Sequence, residues 1–321
     1  MKYLITGGAG FIGSHLVDEL TKSENQITIL DTLSTGSKSN LTVSPRIEFI
    51  NGDIRDSVLV DKLIANCDVV IHLAAALGVD NILKSTLESL SINILGSEIV
   101  LQAAAKYSRR TVIASTSEIY GKNTVQPLTE NSDRVVGKPQ NIRWTYSDAK
   151  AIEEAIAQVL FQERSLPVTT LRFFNTVGPR QTGRYGMVLP RFVRAAVNGS
   201  KIEVYGDGSQ SRVFCHVLDA VNAINGVISN DKTIGEVFNV GGVGEISILG
   251  LANKVKEITN SDSKIVTKSY DEAYASGFED MQRRVPSIEK INLAIGWRPL
   301  RNLEEIIGDV EMFFRSNAEL S

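Results

Sequence analysis

The chain has 321 residues, 43% apolar and 22% charged, enough apolar material to bury a large core in two lobes. Its 34 Lys and Arg against 37 Asp and Glu give a net charge of −3, which leaves no basic excess for a nucleic-acid backbone, so no nucleic acid is expected among its partners. Cys67, Cys215 and the three histidines (His15, His72, His216) share no ligand spacing, no apolar run reaches membrane-spanning length, and a strand pattern begins at Lys2, so the expectation is a cytoplasmic protein with reduced thiols, no metal site and no membrane contact.

In chain order, short β-rich runs alternate with helical patterns: KYLIT, then SHLVDELTKS after a turn; ITILD; RIEFI; VLVDKLIANC; DVVIHLA; a long pattern from Leu87 to Tyr107; and TVIAS. Alternation of this kind predicts a Rossmann-type, doubly wound parallel sheet with crossover helices on both faces. A helix is expected from Thr145 to Arg164, and another strand, VTTLRFF, comes after Pro167. From Asn175 onward the texture changes to Gly/Pro-punctuated loops, NTVGPRQTGRYG and YGDGSQSR, among shorter elements. The expected organisation is a dinucleotide-binding domain over 1–174 and a smaller C-terminal α/β lobe over 175–321, with some of its segments returning to the first domain. The last pattern, NLEEIIGDVEMFFRS, places Leu303, Ile306, Ile307 and Val310 on one face, a packing face.

GGAGFIG joins the first strand to a helix expected to start near Ser14. Gly7, Gly10 and Gly13 let the backbone turn tightly and approach a pyrophosphate, with Phe11 and Ile12 between them at the start of the helix. A glycine pattern alone is a weak signal. Its place after the first strand, with Asp31 closing the second, strengthens it, because an acidic side chain there accepts from a ribose 2′-hydroxyl and repels a 2′-phosphate. NAD is therefore expected rather than NADP, with a plain turn cap as the alternative for Asp31. Asp53, with Ile54 next to it, comes after the third strand, where it can accept from an adenine amino group. The small Ala74 and Ala75 after the fourth permit close cofactor approach. His72 reads equally well as a satisfied core histidine, and no chemistry is assigned to it.

Tyr146 and Lys150 form YSDAK, the one place among eight tyrosines where a lysine stands four residues later. On a helix both side chains project from one face, and an ammonium beside a phenol favours phenolate, lowering the tyrosine pKa toward the range of a general base. Thr116, ending TVIAST, can orient a substrate hydroxyl toward Tyr146. Tyr120 is nearer to Thr116 but has no lysine partner, and reads as a packing residue.

The glycines Gly7, Gly10 and Gly13, the trio Thr116, Tyr146 and Lys150, the segments RFFNTVGPR and YGDGSQSR, and a GW-x-P turn (Gly296, Trp297, Pro299) together resemble the extended short-chain dehydrogenases that remodel nucleotide sugars. The resemblance runs through essentially the whole chain. It implies tightly bound NAD, transient oxidation of a sugar hydroxyl, usually at C4, and a C-terminal lobe that holds the nucleotide and diphosphate. By position it implies that Asn175 contacts the substrate diphosphate and Arg212 pairs with it. A surface ion pair is the plain alternative for both Arg212 and Arg284. It further implies a homodimer through two long helices, about Leu87–Tyr107 and Tyr146–Arg164, the second carrying Ile152, Ile156, Val159, Leu160 and Phe161.

Glu118, two residues after Thr116, bears on the fate of the sugar once C4 is oxidised. The Thr-Ser-Glu order resembles nucleotide-sugar dehydratases and UDP-glucuronate decarboxylases, and a carboxylate raised in pKa by burial would serve at C5 as base or acid. YDEAYASGFEDMQRRVPSI and RWTYSDAK resemble the decarboxylase domain of the lipid A aminoarabinose pathway, where an arginine at the position of Arg284 serves the decarboxylation. STGSKSNL and GMVLPRFVRAAVNG look most like proteins described as UDP-glucose 4-epimerase-like. The leading expectation is thus C4 epimerisation of a UDP-hexose or UDP-hexuronate. UDP-glucuronate decarboxylation is the alternative, then 4,6-dehydration and, remotely, a non-catalytic NAD-binding sensor, which would have no need of the catalytic trio.

Overall fold

The computed structural model describes residues 1–76, 85–181, 187–269 and 281–317. Residues 182–186 and 270–280, which belong to two of the sequence motifs, NTVGPRQTGRYG and YDEAYASGFEDMQRRVPSI, lie outside the described residues. The organising element is a seven-stranded sheet of β1 (Lys2–Thr6), β2 (Gln26–Asp31), β3 (Ile47–Asn51), β4 (Val69–His72), β5 (Arg110–Thr116), β6 (Val168–Phe173) and the strand Val237–Val240. Across the sheet the order is β3, β2, β1, β4, β5, β6 and then Val237–Val240, with each neighbouring pair parallel. The order reverses between β1 and β4, where Thr6 pairs with His72. In a doubly wound sheet, that switch opens a crevice at the carboxyl ends of the strands, and ligands bind there.

Successive strand residues feed opposite faces of the sheet, which is why the strands read as near-continuous apolar runs. Ile5, Ile29 and Val112 pack under the helix α1 (Phe11–Thr21) and the helix Val217–Ile228. Their neighbours Leu4, Leu30 and Ile113 pack on the other face, under the helices Ser97–Lys106 and Thr145–Arg164. A separate core joins Phe192, Leu251, Val255 and Phe314 from the helices Val188–Val197, Ile248–Ile258 and Leu303–Ser316. Ile306, Ile307 and Val310 are buried in it, and Asn302 and Glu305 close a capping box at the start of the last helix. Between these cores the C-terminal half of the chain comes back, through Val217–Ile228 and Val237–Val240, to complete the first sheet.

Two local departures from the sequence pattern matter for the site. Helix α1 begins at Phe11 rather than near Ser14, so Gly13 lies within its first turn. The long helical pattern from Leu87 is interrupted: Thr86–Leu90 leads into a π-helical stretch, Ser91–Gly96, before Ser97–Lys106. Within the π stretch the Asn93 side chain accepts from the Ala76 N–H and donates to its carbonyl, both at 2.8 Å. That pair of bonds ties the helix to the segment leaving β4, and such bulges are frequent at functional sites. Among the described residues no helix is long and apolar enough to cross a membrane.

Candidate active site

A cleft of about 850 Å³ runs along the switch point and on toward the second core. Gly7 opens it with φ +72°, and a Cβ there would come within 2.7 Å of the Ala74 backbone nitrogen. At Gly13 a Cβ would run into the Gly7 carbonyl oxygen. Both positions therefore exclude a side chain, for strain in one case and for want of space in the other. Gly10 caps α1 without any side-chain hydrogen bond, so the first N–H groups of the helix stay available to an anion. Phe11 and Ile12 line the cleft beside these glycines.

Asp31 also faces the cleft, and its carboxylate accepts from the Ala9 N–H at 3.0 Å and the Leu33 N–H at 2.8 Å. It is thus a cap of the glycine turn, and each oxygen keeps a lone pair for a ribose hydroxyl. Asp53 and Ile54 line the next part of the wall, with Ala74 and Ala75 opposite. The Asp53 carboxylate is clamped by Arg55, whose Nη2 lies 2.6 Å from Oδ2, so an adenine amino group would share an acceptor already in use. The cradle left open by the two glycines, the uncapped helix start and the acidic side chain at the end of β2 fit a dinucleotide with a free 2′-hydroxyl.

Further along the same wall stand Thr116, Tyr146 and Lys150. Thr116 ends β5 and caps the short 3₁₀ turn Ser117–Tyr120 by accepting from the Glu118 N–H at 3.2 Å. Tyr146 and Lys150 lie one turn apart on Thr145–Arg164, so the helix repeat alone puts both at the cleft. Burial pushes the Tyr146 phenol up; Lys150 pulls it down, Glu153 and Glu118 push it up, and a hydrogen bond with Thr116 pulls it down. The pull of Lys150 has the expected sign, but burial outweighs it, and the phenol sits above its ordinary value rather than below. Tyr120 is fully buried, donating to Asn239 Oδ1 at 2.7 Å and accepting from Arg172 at 2.9 Å, which makes it a packing residue.

Glu118 corrects the sequence reading most sharply. Its two oxygens meet two guanidiniums, Arg284 at 2.5 Å and Arg143 at 2.6 Å. Burial alone would raise the carboxyl, but the charges of Arg143 and Arg284 and their hydrogen bonds outweigh it and hold it at about 2. Instead of an acid or base poised near neutrality, Glu118 is a fixed anion. Arg284 is itself buried, and its other nitrogen donates to Asn175 Oδ1 at 3.0 Å, while the Asn175 amide donates to the Val213 carbonyl at 2.8 Å. Asn175 therefore positions Arg284 as well as facing the cleft. Arg212 lies beside Arg284 in the register Ser211–Arg212 against Arg283–Arg284 and lines the cleft, with Nη1 donating to the Ser211 carbonyl at 2.8 Å. Both arginines are buried, so neither is the surface ion pair weighed as the alternative.

The cleft thus gathers every site residue named from the sequence. Two further residues, Arg143 and Glu153, escape the sequence reading. Arg143 stands three residues before Tyr146 in the 3₁₀ turn Ile142–Trp144, one turn ahead of the helix that carries the tyrosine. Glu153, three residues after Lys150, accepts from its ammonium at 2.8 Å. An i, i+3 pairing of opposite charges is the signal that could have found Glu153.

The chain is similar to known proteins over nearly its whole length. A family model described as the NAD-dependent epimerase/dehydratase family matches residues 3–241. A UDP-N-acetyl-alpha-D-glucosaminuronate decarboxylase from Bacillus cytotoxicus is 40% identical over 97% of this chain and 97% of its own. A solved UDP-glucose 4-epimerase from Thermotoga maritima, with UDP-glucose, superposes with a TM-score of 0.90 at 29% identity, covering 99% of this chain and 100% of that one. A UDP-glucuronic acid 4-epimerase variant from Bacillus cereus, in complex with UDP-4-deoxy-4-fluoro-glucuronic acid and NAD, has a TM-score of 0.89 at 25% identity, with coverage of 99% and 100%.

Proposed function

The chain belongs to the NAD-dependent epimerase/dehydratase family, and from that premise we propose that this enzyme decarboxylates a UDP-hexuronate after oxidising it at C4. One observation carries the proposal: Glu118 is pinned between Arg143 and Arg284 at the cleft. Guanidiniums at a cleft recognise a carboxylate through paired N–H donors, which suits a substrate that brings a carboxylate of its own. A neutral hexose brings no such group.

The chemistry divides in the same way. A 4,6-dehydratase needs a base for the C5 proton, and a carboxylate held at about 2 is a poor one at neutral pH. Loss of CO2 needs no such base. The C5–C6 bond electrons pass toward the 4-keto oxygen, CO2 departs, and C5 takes up one proton. Gly7–Gly13 and Asp31 would hold NAD, which would supply the acceptor for the C4 hydride and the donor that returns it to C4 once CO2 has left. Tyr146 takes the C4 hydroxyl proton and afterwards holds it against the enolate oxygen, with Thr116 orienting that oxygen. Arg143 and Arg284 hold the C6 carboxylate, and Arg212 with Asn175 takes the diphosphate. The 40% identity to a decarboxylase over nearly the full chain supports this reading.

C4 epimerisation of the same uronate is the second reading. It is favoured by the likeness to a UDP-glucuronic acid 4-epimerase and by the fact that Thr116, Tyr146 and the two arginines would serve it equally. A homodimer accompanies either proposal, supported by exposed Leu87, Leu95, Ile152 and Val159 on the helical segments Thr86–Lys106 and Thr145–Arg164. The test is incubation with UDP-glucuronate, UDP-N-acetylglucosaminuronate, UDP-glucose and dTDP-glucose, with products read by mass. Decarboxylation predicts loss of CO2 from one or both uronates and no change in the hexoses. A uronate isomer of unchanged mass selects epimerisation, and loss of water from a hexose contradicts both.

A further inference from the structure

Outside the lining of the cleft, a line of buried polar groups crosses from Thr6, at the end of β1, to the helix Thr145–Arg164. The Ala74 N–H donates to Thr6 Oγ1 at 3.3 Å, and Thr6 Oγ1 lies 2.7 Å from His72 Nδ1. His72 Nε2 lies 3.0 Å from Ser97 Oγ, which in turn donates to Glu153 Oε2 at 3.2 Å. That same oxygen accepts from Lys150 Nζ at 2.8 Å.

Burial pushes the Glu153 carboxyl up, against the charge of Lys150 and the hydrogen bonds from Lys150 and Ser97; with Glu153 as a carboxylate, which can only accept, the direction of every proton in this line follows. Ser97 spends its single hydrogen on Glu153, so it accepts from His72, and His72 carries its proton on Nε2. His72 Nδ1 is then an acceptor, and the Thr6 hydroxyl donates to it while accepting from Ala74. Every donor in the line thus points toward Glu153. Burial keeps His72 neutral by pushing it down to about 3, with the nearby Lys150 charge acting in the same direction, which is the state this pattern requires. Hydrogen bonds aligned head to tail polarise one another, and their summed dipole favours an anion at the end.

Lys150 needs such an anion. Its side chain is 2% exposed and that of Glu153 1%. A lone ammonium in so dry a place would shed its proton, and it can draw phenolate from Tyr146 only while it stays charged. The titratable groups coupled to Lys150 are Tyr146, Glu153 and Glu154 on its own helix and His72 on β4. Of these, Glu153 is the one in direct contact with the ammonium, whereas Glu154 is bound by Arg172 at 2.7 Å and by Ser115 at 2.5 Å.

We infer that Glu153 is a positioning residue that keeps Lys150 protonated beside Tyr146, and that the line Thr6, His72, Ser97 exists to hold Glu153 as an anion. The inference rests on Tyr146 and Lys150 being the catalytic pair, but its test does not depend on turnover. In protein labelled with 13C at lysine Cε, the Lys150 resonance is assigned by its loss in Lys150→Arg and tracked against pH. In the wild type it stays that of an ammonium to high pH. In Glu153→Gln it titrates at clearly lower pH, and in Ser97→Ala it moves in the same direction by less. Glu153→Asp, which keeps the charge, brings it back toward the wild type. Coincident titration in all four proteins overturns the inference, and should Glu153→Gln fail to fold, Ser97→Ala against the wild type decides it alone. The catalytic reading fails separately, if Tyr146→Phe keeps its turnover.

Discussion

Two glutamates act on the same tyrosine, and they differ in what faces them. Glu118, on the cleft side, is held by arginines that come from 25 residues downstream in one case and from the far end of the chain in the other. Glu153, on the sealed side, answers one ammonium a single turn away on its own helix, and that group is balanced. Guanidiniums at an open cleft suit selection of an anionic ligand, whereas an ammonium–carboxylate pair in a closed one fixes a protonation state. On this account the front of the tyrosine chooses the substrate and the back sets the tyrosine's readiness.

The sharpest way to break this division is at the tyrosine that both sides serve. Tyr146→Phe is expected to lower turnover by roughly 10²–10⁴-fold, the usual contribution of a positioned acid–base group, with little effect on folding. Undiminished turnover with every sugar nucleotide would remove the catalytic assignment. On the front, Glu118→Gln takes from two largely buried guanidiniums the carboxylate they share. A loss of about 3 kcal/mol in urea unfolding is expected, as for other broken buried pairs, together with loss of activity.

That loss has a pH signature. Glu118 is held at about 2 against an ordinary 4.5, so its contribution is complete above pH 4.5 and disappears as the pH falls toward 2. The stability gap between wild type and Glu118→Gln should therefore close on acidification through that window, and a gap that stays constant would mean that the carboxylate's charge is not what the arginines need.

On the back, acid acts through His72. Burial holds it neutral with a value of about 3, while the unfolded chain protonates near 6.5, so the folded state loses stability as the pH drops between those values. His216, pushed down by burial to about 4, adds to the same slope. In His72→Gln the fall in unfolding free energy between pH 7 and 4.5 should become shallower but not vanish. The smallest effect is expected at Tyr120→Phe, which frees one hydrogen-bond acceptor on Asn239 and one donor on Arg172. A cost of about 1–3 kcal/mol is expected in urea unfolding, without change in the pH dependence of turnover.

How much of this can be read from residues alone divides along the same front-to-back line. The sheet, the glycine turn, Asp31 and the pairing of Tyr146 with Lys150 are local: each depends on a period of two, a helix turn or a loop between adjacent elements, and each leaves its mark in a short string of letters. The pinning of Glu118 is not local. It requires Arg143, which stands in a segment, RWTYSDAK, that speaks only through its resemblance, and Arg284, 166 residues away. No periodicity links those positions, and without them a buried carboxylate reads as raised in pKa when it is in fact lowered. Glu153 is the reverse case, a local i, i+3 partner of Lys150 hidden because the EE pair it belongs to reads as solvated helix surface. The interruption of the Leu87 helix by a π stretch leaves no compositional trace either, since Ser91–Gly96 is as apolar as the helix around it.

The most direct measurement tracks the carbon that the front of the site is proposed to release. With UDP-glucuronate and UDP-N-acetylglucosaminuronate labelled at C6, the account predicts that label leaves as CO2 in step with consumption of at least one of them, and that Glu118→Gln and Arg284→Gln both slow the release. Label retained at C6 while a C4 epimer accumulates would contradict it.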